Sequence, residues 1–163
     1  MFSGTARYNK FDVGVSQIET AIRLFITDGC DMFSAITLAG SAGEIFHHLV
    51  VRAGKKPFVD NIAKIGQKQN PSQTPSRAKI IKHINAMLFI NEVKHFDDRN
   101  DEFIEFDAEE CAIGTILKAI ADYKTLTGEE SVAMKAFLGW TYKNLEAESI
   151  MERGKQLEKE FGE

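Results

Sequence analysis

The sequence predicts an all-α fold, an up-and-down bundle of five to six helices in one domain, and three observations carry that expectation. Only three prolines occur in 163 residues, and Pro71 and Pro75 fall together in one short polar stretch. Apolar residues recur at helical spacing through most of the chain. Strand-like character is confined to one short segment, residues 103–106. A chain of this size buries about two-thirds of the surface that its unfolded form exposes, enough for a single self-sufficient core.

The helices follow in order. Residues 12–27 set Val15, Ile18, Ile22, Phe25 and Ile26 along one side and end at the turn signal Asp28-Gly29. Residues 31–52 start from Asp31 as N-cap and stop at Gly54. Here Ala35, Leu38, Ala39, Ala42, Ile45, Phe46, Leu49 and Val50 cover most of the circumference, the mark of a central buried helix. Its small residues Ala39, Gly40, Ala42 and Gly43 invite another helix to come close, and its polar stripe is Thr37, Ser41, Glu44 and His48.

A short helical piece is expected over 55–67, carrying Phe58, Ile62 and Ile65, before a polar, proline-punctuated loop over 67–76. A long helix then covers 76–95, with Ile80, Ile84, Leu88, Asn91 and His95 in one stripe. After the apolar arm 103–106, Asp107 caps a helix over 107–127, with Glu110 completing an acidic capping box and Thr127-Gly128 ending it. Residues 129–145 give a further helix with Val132, Ala136, Phe137 and Trp140 inward. Residues 10–145 thus form the core bundle, and 146–163 a charged C-terminal helix with a thin stripe of Ile150, Leu157 and Phe161.

Charge is segregated beneath a net value of −4. Between Arg52 and Lys82 lie eight bases (Lys55, Lys56, Lys79 and Lys82 among them) against one acid, Asp60. Between Asp97 and Glu110 lie eight acids against one base, Arg99. Such polarity steers anionic partners, or a second copy of the chain, toward the basic segment. Cys30 and Cys111 lie far apart without metal-knuckle spacing and read as reduced thiols. No signal-peptide core and no apolar run of membrane-spanning length occur, so a cytoplasmic protein that does not enter the membrane is expected. No glycine-rich phosphate loop is present, and no cofactor is expected.

The block Asn91-Glu92-Val93-Lys94-His95-Phe96-Asp97-Asp98 resembles the N-x-x-K-H-x-D block of a group of bacterial helical proteins related to the HEPN superfamily (higher eukaryote and prokaryote nucleotide-binding domains). The run from Leu38 to Ile45, with Ala39, Gly40, Ala42 and Glu44, is similar to that group's buried second helix. Phe106-Asp107 and the later Ala119, Ile120, Tyr123, Leu126, Thr127 and Gly128 resemble its C-terminal half, so the likeness runs from about Ile18 to Trp140. The resemblance implies a four- or five-helix HEPN-like bundle that forms a homodimer and associates with RNA or nucleotides. A nucleotidyltransferase or another toxin–antitoxin partner is implied as well.

Many such domains are metal-independent RNases with an arginine and a histidine separated by four to six intervening residues. Carried over, His95 takes the histidine's place, Asn91 the polar residue after the arginine, and Ile90 the arginine itself. In a nuclease the histidine moves the proton and the arginine steadies charge on the scissile phosphate. With Ile90 there, His95, Asn91 and Lys94 would be catalytic only if a second copy supplied the missing charge, from Arg77 or Arg99. The expectation is therefore a regulatory, RNA- or nucleotide-associated module with a degenerate RNase motif. Its binding residues are Lys55, Lys56, Lys79, Lys82, Glu44 and His48. A separate alternative rests on two Glu-x-x-His pairs, Glu44/His47 and Glu92/His95, the ligand spacing of carboxylate-bridged metal bundles.

Overall fold

Side chains that accept the first free backbone N–H groups set most of the helix starts in the computed structural model, which describes residues 4–27, 31–69, 75–95 and 102–145. Helix α1 (Lys10–Ile26) is capped by Asn9, whose Oδ1 accepts from the Phe11 N–H at 2.9 Å. Helix α2 (Met32–Arg52) is capped by Asp31, which accepts from Ser34 at 3.1 Å. Helix α6 (Ala108–Thr127) is capped by Asp107, which accepts from Glu110 at 2.9 Å, and it ends at Gly128 with φ 82°. Both acidic caps lie where the sequence places them. Helix α7 (Val132–Asn144) begins from Ser131.

Helix α3 (Phe58–Gln69) takes its cap from elsewhere in the chain. Its first N–H, on Phe58, donates to Asp122 Oδ1 of α6 at 2.7 Å. Helix α4 (Arg77–Met87) is tied to α3 by a two-point ion pair, Arg77 Nε and Nη2 each donating to an Asp60 carboxylate oxygen at 2.7 Å. That pair holds the Asp60 carboxyl below its ordinary pKa. Val59, Ile80 and Ile84 form a small apolar cluster beneath it.

The main core is organised by α2. It packs most extensively against α6 and α1, and its buried residues are Ala35, Ile36, Ala39, Gly40, Ala42, Gly43, Phe46 and Val50. Helix α1 contributes Ile18, Ala21, Ile22 and Phe25, and α7 closes the far side with Met134 and Phe137. Phe25 meets Trp140 edge-on at 4.9 Å between ring centroids, a geometry that suits the ring quadrupoles. Among the described residues no strand occurs, and no helix is long and apolar enough to cross a membrane.

The long helix expected over 76–95 is two helices. Helix α4 ends at Met87, and the five-residue helix α5 (Ile90–Lys94) starts after a break at Leu88 and Phe89. Phe89 has φ 51° and ψ 25°, a left-handed conformation that costs a non-glycine residue roughly 1–2 kcal/mol. Two contacts compensate. Leu88 seats over Gly114, where an added Cβ would lie 2.6 Å from Leu88 Cδ2. Phe89 stacks on Phe106 at 4.6 Å between centroids, tilted only 11°. The stripe running from Ile80 to His95 is therefore not one continuous helical face. The arm 103–106 is non-helical as expected, with Phe103 and Ile104 exposed. The expected helix over 146–161, the Asp28-Gly29 turn, the acidic run 97–101 and most of the proline loop lie outside the described residues.

Replacing Asp122 by alanine strips the Phe58 N–H of its acceptor, and a cost of about 2 kcal/mol is expected. Asp122→Asn keeps an acceptor oxygen and should cost much less at low pH. Urea denaturation of the two variants tests the assignment; equal losses would show that the cap contributes nothing.

Candidate functional site

Two glycines on α2 determine what can gather beside it. At Gly40 an added Cβ would meet Ile90 Cγ2 of α5 at 2.8 Å and Lys94 Nζ at 3.7 Å. At Gly43 it would meet Ala119 Cβ of α6 and Lys118 Nζ, both at 3.5 Å. The missing side chain at Gly40 thus lets α5 close on α2, while at Gly43 a Cβ would make only ordinary contact with α6; each of these neighbouring helices brings a lysine. Between them opens a cavity of about 190 Å³. Glu44, His47 and His48 line it from α2, Asn85 from α4, Asn91 and Lys94 from α5, and Lys118 from α6, with Ile81 and Ile90 as apolar wall.

Lys118 is the unusual member. It is only 8% exposed, although lysine is almost never this buried without a partner. Among the described residues its ammonium makes no hydrogen bond. Asp122 stands one turn further along α6 and is fully buried, but one of its oxygens is taken by the Phe58 N–H and the other accepts no hydrogen bond. Burial depresses the Lys118 pKa, Asp122 and Glu44 pull it back up, and the charge of Lys94 pushes it further down. Burial likewise lifts the Asp122 carboxyl above its ordinary range, opposed by the Phe58 N–H and by Lys118. His47 is held below the usual histidine value, chiefly by burial and then by the charges of His48, Lys118 and Arg77. It is therefore mostly neutral at pH 7.

Five candidate residues named from the sequence, Glu44, His47, His48, Asn91 and Lys94, meet in this cavity. His95 does not line it. Helix α5 ends at Lys94, and His95 follows as an exposed cap residue with extended backbone, φ −130°. Ile90, in the place of the motif arginine, is 3% exposed and packed over Gly40. Arg77, one of the two arginines that could have supplied the charge, is bound to Asp60; Arg99 lies outside the described residues. Lys55 donates to the Thr125 and Leu126 carbonyls at 3.0 and 2.9 Å, so its charge serves the C-terminal end of α6. Lys56, Lys79 and Lys82 are exposed.

Among the described residues no group of three or more His, Cys, Asp or Glu side chains is placed to hold a metal ion. Glu44 and His47 line the cavity, while Glu92 and His95 do not. Asn85 is half-buried on the cavity wall, and His83 is half-buried as well. Lys118 and Asp122 are not among the residues that the sequence singles out. Their signal is a polar stripe, Thr115, Lys118 and Asp122, on a helix otherwise rich in Ile and Ala. A larger depression of about 350 Å³ runs along α1, and among the described residues its lining comes from that helix alone.

Comparison of this chain with protein-family models, with curated proteins and with solved structures gives no match.

Asp122 makes a pH prediction whose sign follows from its raised pKa. The folded state binds a proton there more tightly than the unfolded state, so wild-type stability is greatest below the ordinary carboxylate pKa and falls as pH rises through the raised value. Asp122→Asn escapes that loss, and its stability relative to wild type should climb over the same window and be flat below it. Chemical denaturation at a series of pH values reads this directly; a gap that shrinks with rising pH would refute it. Cys111 gives another test. Burial, with Glu110 and Asp107 adding to it, pushes the thiol up to about 11. Residue-resolved mass spectrometry should show Cys111 resisting iodoacetamide at pH 8 until the fold is opened by denaturant, whereas rapid native labelling would contradict the burial.

Proposed function

We propose that this chain is a HEPN-like, dimer-forming helical module that associates with RNA or nucleotides and does not cleave RNA. The observation that carries this reading is the fate of the motif block. Asn91 and Lys94 join Lys118 on one cavity wall, while the two positions that would do RNase chemistry point elsewhere. Ile90 is a core residue, and His95 lies past the helix end, outside the cavity lining. What remains of the motif is positive charge and amide hydrogen-bonding capacity. Those are binding groups, and without a guanidinium beside the histidine they lack the transition-state charge partner that phosphoryl chemistry demands.

The exposed lysines Lys56, Lys79 and Lys82 supply the wider electrostatic attraction. Single-stranded RNA should bind at low ionic strength, measured by fluorescence anisotropy, and weaken steeply as salt rises. Replacing these three lysines by glutamine should flatten the log–log salt dependence by about 2, the share expected of three lost phosphate contacts on a single strand. Absence of RNA and nucleotide binding at low salt would remove the reading. His95→Ala should leave RNA affinity unchanged, with no cleavage in either protein; cleavage that disappears in this variant would make the chain a nuclease instead. Sedimentation should give the mass of a dimer.

A further inference from the structure

We propose that the cavity between α2, α4, α5 and α6 is a site for a terminal phosphomonoester, with Lys118 and Lys94 as its charge partners and Asn85 and Asn91 as hydrogen-bond donors. This deepens the nucleotide- and RNA-associated reading by giving it a defined phosphate subsite.

Lys118 is the group that asks for an anion. A lysine more than nine-tenths buried, with no hydrogen-bond partner among the described residues, is tolerated only where something compensates it. The obvious internal partner, Asp122, is committed to the Phe58 N–H and does not line the cavity. The ammonium lies on the cavity wall, so a ligand anion is the natural complement. Lys94 enters the same space over Gly40 and repels Lys118. Two cations held in mutual repulsion are both relieved by one dianion. Among the described residues Glu44 is the one carboxylate on the wall, against two lysines, so the described lining keeps a positive balance. Asn91 adds amide N–H groups from α5 and Asn85 from a further helix, α4.

Size narrows the ligand. At about 190 Å³ the cavity is smaller than the roughly 300–1,000 Å³ typical of sites that enclose a whole small molecule. It has room for a phosphate group and little beyond it, so the remainder of the molecule must leave through the mouth. A backbone phosphodiester, singly charged and flanked on both sides, fits such a blind space poorly; a chain-terminal phosphate fits well.

The test uses the full-length protein and thermal unfolding in buffers of matched ionic strength. Inorganic phosphate and adenosine 5′-monophosphate should raise the Tm of the wild type in a saturable way, while chloride and adenosine should not. Lys118→Met removes a buried cation, and its phosphate response, read against its own Tm in chloride, should weaken at least tenfold. If that variant does not fold, Lys94→Met, altering a half-buried side chain on the short α5, should still weaken the response severalfold. An oligoribonucleotide with a 5′-phosphate should outcompete its 5′-hydroxyl counterpart for the wild type alone, which separates an RNA end from a free nucleotide as the source of the group. Equal Tm shifts in phosphate and chloride, or an undiminished phosphate response in the folded lysine variants, would overturn the site. A phosphate-specific shift in a protein without RNA affinity would support the subsite and remove the wider RNA reading; RNA affinity without any phosphate-specific shift would do the reverse.

Discussion

The small-residue face of α2 is the constraint on which the rest of this structure depends. Gly40 leaves room for Ile90 to sit where a side chain would otherwise stand, and at Gly43 Ala119 comes to ordinary contact distance of the Cβ position. Helices usually pack with axes about 8–10 Å apart, and the distance shrinks as the residues between them do. Close approach gives α2 a nearly complete apolar jacket, from α1 on one side and α6 and α5 on the other. It also carries a cost. With α6 packed along α2, Lys118 has little freedom to lift its ammonium into solvent, and the helix that completes the core carries a cation in with it.

A second constraint lies in the break between α4 and α5. An unbroken helix would have carried Asn91 and Lys94 along the axis of α4. Turning the chain through a left-handed Phe89 instead swings α5 onto α2. The strain at Phe89 is modest, and the seating of Leu88 over Gly114 together with the Phe89–Phe106 stack supplies the compensation. The arm 103–106 thus has a structural role, because its last residue, Phe106, clamps the turn that aims the motif residues. The exposed Phe33 also meets Phe106 edge-on, so the clamp is anchored to the start of α2 as well.

Those two constraints explain what could be read from the chain and what could not. The buried character of α2 follows from Ala35, Ala39, Ala42 and Phe46 at helical spacing, and the starts of α2 and α6 follow from Asp31 and Asp107, because periodicity and capping are local properties. The break at Leu88-Phe89 has no local signature. Neither residue is Gly or Pro, and only the tertiary fit over Gly114 and Phe106 makes a left-handed phenylalanine tolerable. The same limit applies to the site. Glu44, His48, Asn91 and Lys94 stand out as polar residues on apolar helices, yet nothing local distinguishes Lys55, a helix-end partner, from Lys56, which is exposed. Lys118 is hidden because a lysine among isoleucines normally reads as a side chain that snorkels to water. Its burial comes from tertiary packing, with Nζ beside Gly43, seventy-five residues earlier in the chain.

The arrangement of Lys118 and Asp122 bears on why such a costly group persists. The two stand four residues apart on α6, the spacing at which opposite charges on a helix ordinarily pair. Here the pair stays open, because Asp122 turns one oxygen to the start of α3 and serves as that helix's cap. A fold selected for stability alone would close the pair or replace both residues by hydrocarbon, since a buried ion pair seldom outperforms well-packed apolar side chains. Instead the carboxylate builds the scaffold and the ammonium is left facing a cavity. Stability given up at one buried position, with a polar cavity beside it, is what the proposed phosphate site asks of Lys118. That asymmetry makes Lys118, rather than the more conspicuous His95, the centre of this site.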